Sequence, residues 1–149
     1  MTADGDPQAQ AEAVGRAMYA RDNAAHALAM TLEEIRPGYA RMRMTVRPDM
    51  LNGHHLAHGG LIFTLADTTF AYACNSHNHV TVAQGATIEF LAPGKAGDVL
   101  TAEGHGQHSS GRTGVYDIKV TNQDGRTIAL FRGKSFHLGT HILTPPQTA

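Results

Sequence analysis

Between Gly59 and Ser76 the chain carries a single residue charged at neutral pH, Asp67, in a run otherwise made of small and apolar side chains. Leu61, Ile62, Leu65, Ala66, Phe70 and Ala73 recur at helical spacing, and most positions between them are also small or apolar. A helix apolar nearly all round belongs inside a protein. This one is too short to span a bilayer and holds a carboxylate, so other parts of the chain must cover it. The segments that follow supply the cover. Val80, Val82, Ala86, Ile88 and Phe90 alternate, and a turn follows at Ala92-Pro93-Gly94. A second run starts at Val99 and reaches about Gln107. Tyr116, Ile118 and Val120 alternate in a third, and Asp124-Gly125 marks a hairpin into a fourth, Thr127 to His137. The pattern predicts an α+β fold in which a four-strand antiparallel meander curls around one central helix.

Upstream, an alanine-rich stretch from about Ala9 to Ala29 reads as one surface helix with a thin apolar stripe. Arg36-Pro37-Gly38-Tyr39 is a turn between two short strands. In the second of these, Met42, Met44 and Val46 alternate with Arg41, Arg43 and Arg47, as on a sheet with one wet face. The 149 residues suit one domain, with residues 1–8 and 140–149 expected to be loosely held ends. A net charge of −1 gives no electrostatic footprint for nucleic acid or an anionic membrane. The single cysteine, Cys74, excludes an intrachain disulfide and any Cys-x-x-Cys motif. The first residues carry acids and no apolar run, so no signal peptide is read there, and a soluble, cytoplasmic protein is expected.

Asp67 has Phe63, Thr64, Phe70 and Ala71 as helical neighbours, and no cation among them. Desolvating an unpaired carboxylate costs several kcal/mol, so the group either accepts structural hydrogen bonds or lies at a cleft as a base or nucleophile. At the start of the same helix, His58-Gly59-Gly60 places free N–H groups and the positive end of the helix dipole where a ligand can approach the backbone closely. Such a site can polarise a carbonyl. Gly59 and Asp67 are eight residues apart, about 12 Å along a helix, too far to act on one carbonyl from one chain. If both are catalytic, the site is shared between two copies.

These residues resemble the signature of hotdog-fold acyl-CoA thioesterases. The first block is Asn52-Gly53, followed by His58-Gly59-Gly60-Leu61-Ile62-Phe63-Thr64-Leu65-Ala66-Asp67. The second is Ile88-Glu89-Phe90-Leu91-Ala92-Pro93 with Gly97-Asp98-Val99-Leu100-Thr101-Ala102. Gly111-Arg112-Thr113-Gly114-Val115-Tyr116-Asp117 and Ala129-Leu130-Phe131-Arg132-Gly133-Lys134-Ser135 complete the set. Taken in order, they look like the phenylacetic acid degradation (PaaI-type) subfamily, over about Val14 to Gly139. The resemblance implies hydrolysis of a phenylacetyl-CoA-type thioester to the acid and free CoA, without metal or prosthetic group. It implies hotdog subunits paired through one continuous sheet, two pairs making a tetramer. Asp67 matches the catalytic carboxylate, Gly59 the polarising N–H, and Asn52 a polar group beside the reacting centre. His58 and Gly60 flank that donor. Thr68, Gly85 and Arg112 complete the expected substrate contacts, Arg112 as a cation for CoA phosphate. One departure concerns Ala71 and Cys74, which stand where related thioesterases carry a hydroxyl residue.

Two other readings stay open. A hydratase or dehydratase would pair His58 with Asp67 of another subunit, and a non-catalytic acyl-CoA-binding protein would hold the ligand without turnover. The ten histidines show no His-Glu-x-x-His pattern and no cysteine partner, so no metal site is expected. Gly133-Lys134-Ser135 imitates the end of a phosphate loop, but Ile128 stands where that loop needs glycine. Gly85 interrupts a strand, as at a bulge or a close approach by ligand.

Overall fold

The computed structural model describes residues 5–144. Two short helices, α1 (Pro7–Tyr19) and α2 (Asn23–Ala27), precede strands β1 (Thr31–Arg36) and β2 (Tyr39–Thr45). The central helix α3 spans Gly59–Asn75, and four strands follow: β3 (His79–Phe90), β4 (Val99–Ser110), β5 (Thr113–Thr121) and β6 (Thr127–His141). All six strands join one antiparallel sheet in the order β1-β2-β4-β5-β6-β3. The architecture is α+β, the hotdog arrangement expected from the sequence.

Strand periodicity sorts the side chains. Met42, Met44, Leu100, Ala102, Tyr116, Ile118, Val120, Ala129 and Phe131 are buried on the inner face, while Arg43, Glu103, Lys119 and Arg132 point outward. Against that inner face α3 buries Ile62, Leu65, Ala66, Thr69, Phe70 and Ala73. Close approach needs gaps in the sheet. A Cβ on Gly133 would lie 2.7 Å from the Phe70 ring, and one on Gly104 would lie 3.2–3.7 Å from Ile118, Thr69 and Ala73. Gly133 therefore serves as the notch for Phe70, not as part of a phosphate loop. Among the described residues no helix is long and apolar enough to cross a membrane.

Three expectations change. The alanine-rich stretch is two helices, because Asp22 restarts the chain: its side chain accepts from the Ala25 N–H (3.0 Å), a cap that competes with helix continuation. Two further bonds fix the corner, from the Tyr19 hydroxyl to the Met30 carbonyl (2.7 Å) and from Tyr72 to Asp22 (3.1 Å).

The meander is also broken. β3 lies at the far edge beside β6, and the β3–β4 connection crosses the entry of α3, where the Ala57 N–H donates to the Gly94 carbonyl (2.8 Å). Alternation reveals which face a residue occupies but not which strand lies beside it.

The ends are held further out than expected. Asp6 caps α1 by accepting from the Gln8 N–H, and β6 runs past Gly139 to His141. Leu143 then donates to Asn78 Oδ1 (2.7 Å). The remaining loose-end positions, 1–4 and 145–149, lie outside the described residues.

Phe70 is buried and cannot retreat from a new methyl group. Gly133→Ala is expected to destabilise the fold by about 1–3 kcal/mol through overpacking, read by denaturant unfolding. Phe70→Leu in the same chain should restore part of the loss. Unchanged stability in Gly133→Ala would show that the notch is not needed.

Candidate active site

The entry to α3 is built by a tight loop. Leu51 and Ala57 form an isolated antiparallel bridge. Asn52 braces the loop from inside, its Oδ1 accepting from the N–H groups of His54 (2.9 Å) and Leu56 (3.2 Å). No bond of the Asn52 side-chain NH2 is found among the described residues, which leaves it available to a ligand.

Hydrogen-bond accounting then singles out one donor. A helix leaves its first N–H groups without intrahelical partners. Here the His58 N–H donates to the Met50 carbonyl (2.9 Å) and Leu61 donates to the His58 carbonyl (2.9 Å). Gly60 donates to His58 Nδ1 (2.9 Å), the side-chain cap of the helix. Only the Gly59 N–H has no partner among the described residues. It stands at the positive end of the helix dipole. A Cβ on Gly59 would lie 3.1 Å from the Phe90 ring, so glycine is what lets that ring close over the helix start. Asn52, Leu56, Gly59, Ile62, Phe90 and Leu91 are among the walls of a cavity of about 330 Å³ here. Gly60, by contrast, has its N–H committed to His58.

Asp67 lies on the less covered face of α3 with Gly60, Thr64, Thr68 and Ala71. Its carboxylate makes no hydrogen bond or ion pair among the described residues. Burial alone holds its pKa above the usual carboxylate range. Thr64 and Thr68 turn their hydroxyl protons back into the helix, onto the carbonyls of Gly60 (2.8 Å) and Thr64 (2.6 Å), so neither donates to Asp67. Cys74 is buried, its thiol pushed up to about 12 chiefly by burial, with the charge of Asp67 adding to the shift. It is a neutral wall, not a nucleophile.

The other expected contacts sit apart from the helix start. Gly85 follows a bulge, where the β3–β6 register slips between Ala83 and Gly85, and nothing lies within 4 Å of its would-be Cβ. Arg112 is exposed at the β4–β5 turn. It lines a small chamber with Cys74, His77 and His79 at the other end of α3. Among the described residues, no group of three His, Cys, Asp or Glu side chains is placed to hold a metal. A recess of about 630 Å³ lies on the outer face of the sheet among Glu103, Asp117, Lys119 and Arg132, and touches neither Gly59 nor Asp67. Sequence reading missed Phe90 as a site residue. Its alternation marked a strand position, but its contact with Gly59 joins a strand end to a helix start.

Comparison with known proteins adds a second line of observation. The profile of the Thioesterase superfamily matches residues 54–129. The acyl-coenzyme A thioesterase PaaI of Escherichia coli (strain K12) is 52% identical over 126 residues, 85% of this chain and 90% of that protein. A putative esterase of Archaeoglobus fulgidus is 33% identical, over 88% of this chain and 84% of its own length. Among solved structures, the E. coli PaaI protein from the phenylacetic acid degradation operon superposes with a TM-score of 0.90 at 48% identity. It covers 91% of this chain and 99% of its own. A hypothetical thioesterase of Streptococcus pneumoniae TIGR4, solved with coenzyme A, superposes with a TM-score of 0.73 at 32% identity, over 75% of this chain and 90% of that one.

The position of Asp67 has a thermodynamic signature. Its folded pKa is raised, so the folded state binds its proton more tightly than the unfolded chain and loses stability as pH climbs through that value. Asp67→Asn is expected to be more stable than the parent at neutral pH, with the gain shrinking toward acid. Denaturant unfolding across pH reads this. A variant less stable than the parent at neutral pH would mean that the carboxylate has a stabilising partner.

Proposed function

The chain belongs to the thioesterase superfamily, and from that premise we propose that it is an acyl-CoA thioesterase whose active sites are shared between paired subunits. The E. coli relative points to phenylacetyl-CoA-type thioesters as the substrate class. The observation that carries the reading is the one uncommitted N–H of α3, on Gly59, about 12 Å along the helix from its one carboxylate. Those two groups cannot meet on one carbonyl within a chain, but two antiparallel copies of α3 bring each Gly59 to the other copy's Asp67. The open, small-residue face of α3 allows that approach. The edge of β3 is unpaired in the sheet, and Val82 and Phe90 are exposed along it, so edge-to-edge pairing would make the sheet continuous. Two such pairs make the tetramer.

In the reaction, the thioester carbonyl accepts from the Gly59 N–H, and the developing oxyanion strengthens that bond at the helix terminus. The Asn52 NH2 steadies the thioester or the attacking water. Asp67 of the partner subunit either takes a proton from water as its oxygen adds to the carbonyl or attacks the carbon itself. In the second case water hydrolyses the resulting anhydride. Both routes break the C–S bond, and the CoA sulfur leaves as the thiol. His58 sets the donor by occupying Gly60, and Phe90 closes the entrance over Gly59. Thr68 keeps oxygen lone pairs open to substrate beside the acid. At the far end of the helix, Arg112 offers a cation to a CoA phosphate, and the bulge before Gly85 leaves β3 open to a ligand. In the hydratase reading His58 would act through Nε2 alone, because Nδ1 accepts the Gly60 N–H in the helix cap, and a neutral ring held that way offers a proton donor and not a base.

Thiol release from phenylacetyl-CoA and a panel of other acyl-CoA esters, followed for the parent and Asp67→Asn, tests this reading. The parent is expected to release CoA, and the variant to lose about 10²–10⁴-fold in kcat while still binding substrate. The raised carboxyl should place the acid limb of the parent's kcat/KM above the ordinary carboxylate range. No thiol from any ester, or undiminished turnover in Asp67→Asn, would overturn it.

A further inference from the structure

Beyond the reacting groups, the structure gathers imidazoles that the sequence scatters. His79, the first residue of β3, stacks 4.2 Å from the ring of His137 and 5.2 Å from that of His141 on β6, with His77 in the preceding turn. Among the described residues, Arg112 is the one permanently charged side chain that lines the chamber beside them. Arg112 reaches in from the β4–β5 turn, while Cys74 of α3 and Tyr116 of β5 stay neutral, each pushed up to about 12 mainly by burial. Among the described residues no carboxylate lines that chamber, though the charge of Asp67 is felt at Cys74.

The hydrogen bonds are set for neutral rings. His79 Nδ1 is buried without a partner among the described residues, so a proton there would have no acceptor among them. His137 Nδ1 accepts from the Gly139 N–H (2.7 Å), and protonation would forfeit that bond. Only His141, whose Nδ1 faces the Asn78 carbonyl at 3.0 Å, has an acceptor ready.

The strand at this point is weakly laddered. The register slips between the His79–His141 and Thr81–His137 pairs. Side-chain clasps bridge the gap: Asn75 donates to the Thr81 carbonyl and accepts its N–H (2.9 Å each), and Asn78 holds Leu143.

We propose that this cluster is an acid-sensitive latch. Protonation of His79 places a positive charge among stacked imidazoles in a chamber lined by Arg112, and the first residues of β3 release from β6. The consequence for subunit pairing rests on the proposed shared site, since β3 is the edge that would pair; the latch itself does not.

The sign follows from linkage. Burial, then the neighbouring imidazoles, hold the pKa of His79 below its ordinary value. The folded state therefore binds fewer protons than the unfolded chain, and stability is lost as pH falls through the imidazole range. Asp49, Asp98 and Asp117 are held below the usual carboxylate range by their partners and titrate at lower pH. Asp67, held high by burial, acts with the opposite sign.

The test is amide hydrogen exchange, corrected for intrinsic pH dependence, at about pH 7.5 and 5.5 on either side of the imidazole range, with the oligomeric state followed by light scattering. Protection at residues 79–83, relative to β5, is expected to fall about tenfold at the lower pH. His79→Phe keeps the ring stacking and should abolish the fall. His137→Gln, which still accepts from Gly139, should reduce it if His79→Phe does not fold. Equal protection at both pH values, or an undiminished fall in the variants, overturns the latch. A protein that is monomeric at both pH values would count against the shared site instead, with the latch still read from protection.

Discussion

The structure depends on how α3 seats in the sheet. One side of the helix presents Phe70, Leu65 and Ile62 to the inner face, and the sheet yields to them at Gly133 and Gly104. Each large side chain buried this way contributes about 1.5–3 kcal/mol. The opposite side, with Gly60, Thr64, Asp67 and Ala71, has nothing large to bury and is left partly open. Seating fixes which residues face outward, and so decides that the helix's one carboxylate lies on the open side. A helix apolar nearly all round is therefore covered on only one side by its own chain. The uncovered side is narrow and made of small residues, a surface that suits a second helix or a substrate.

At the helix start the same economy operates in hydrogen bonds. His58 is both the cap and the acceptor for the first turn, so its ring and carbonyl account for Gly60, Leu61 and Ile62. What remains among the described residues is one donor at Gly59, made accessible by the absent side chain and bounded by Phe90. A burial-raised carboxyl and one N–H without a partner among the described residues are set too far apart to cooperate within a chain, and the proposed pairing would bring them together. Symmetry would then make two equivalent sites from one pair of helices.

Much of this was legible in the sequence because it is local. A lone charge in an apolar helix marks Asp67, glycines after a polar cap mark Gly59, and alternation marks the buried face of each strand. Other features were hidden because they join distant positions. Nothing in the run Val80–Phe90 says that β3 pairs with β6 rather than β4, or that its last ring closes over Gly59. The phosphate-loop reading of Gly133 already failed at Ile128, but nothing local told that this glycine receives Phe70. The histidine cluster combines position 79 with positions 137 and 141, which lie far from it in the sequence. The break between α1 and α2 was present in the sequence as Asp22-Asn23, but the alanine-rich background masked it.

Subunit mixing tests the shared site most directly. Asp67→Asn and Gly59→Val are each expected to be inactive alone, the second because its side chain would displace Phe90 at the donor. A mixed pair of the two variants would contain one site with both native groups. Co-refolding them, or co-expressing them with different tags, should therefore restore thioesterase activity in the isolated mixed pairs, at up to half the parent's turnover per pair. Mixed pairs as inactive as either variant alone would contradict a site built from Gly59 of one subunit and Asp67 of the other.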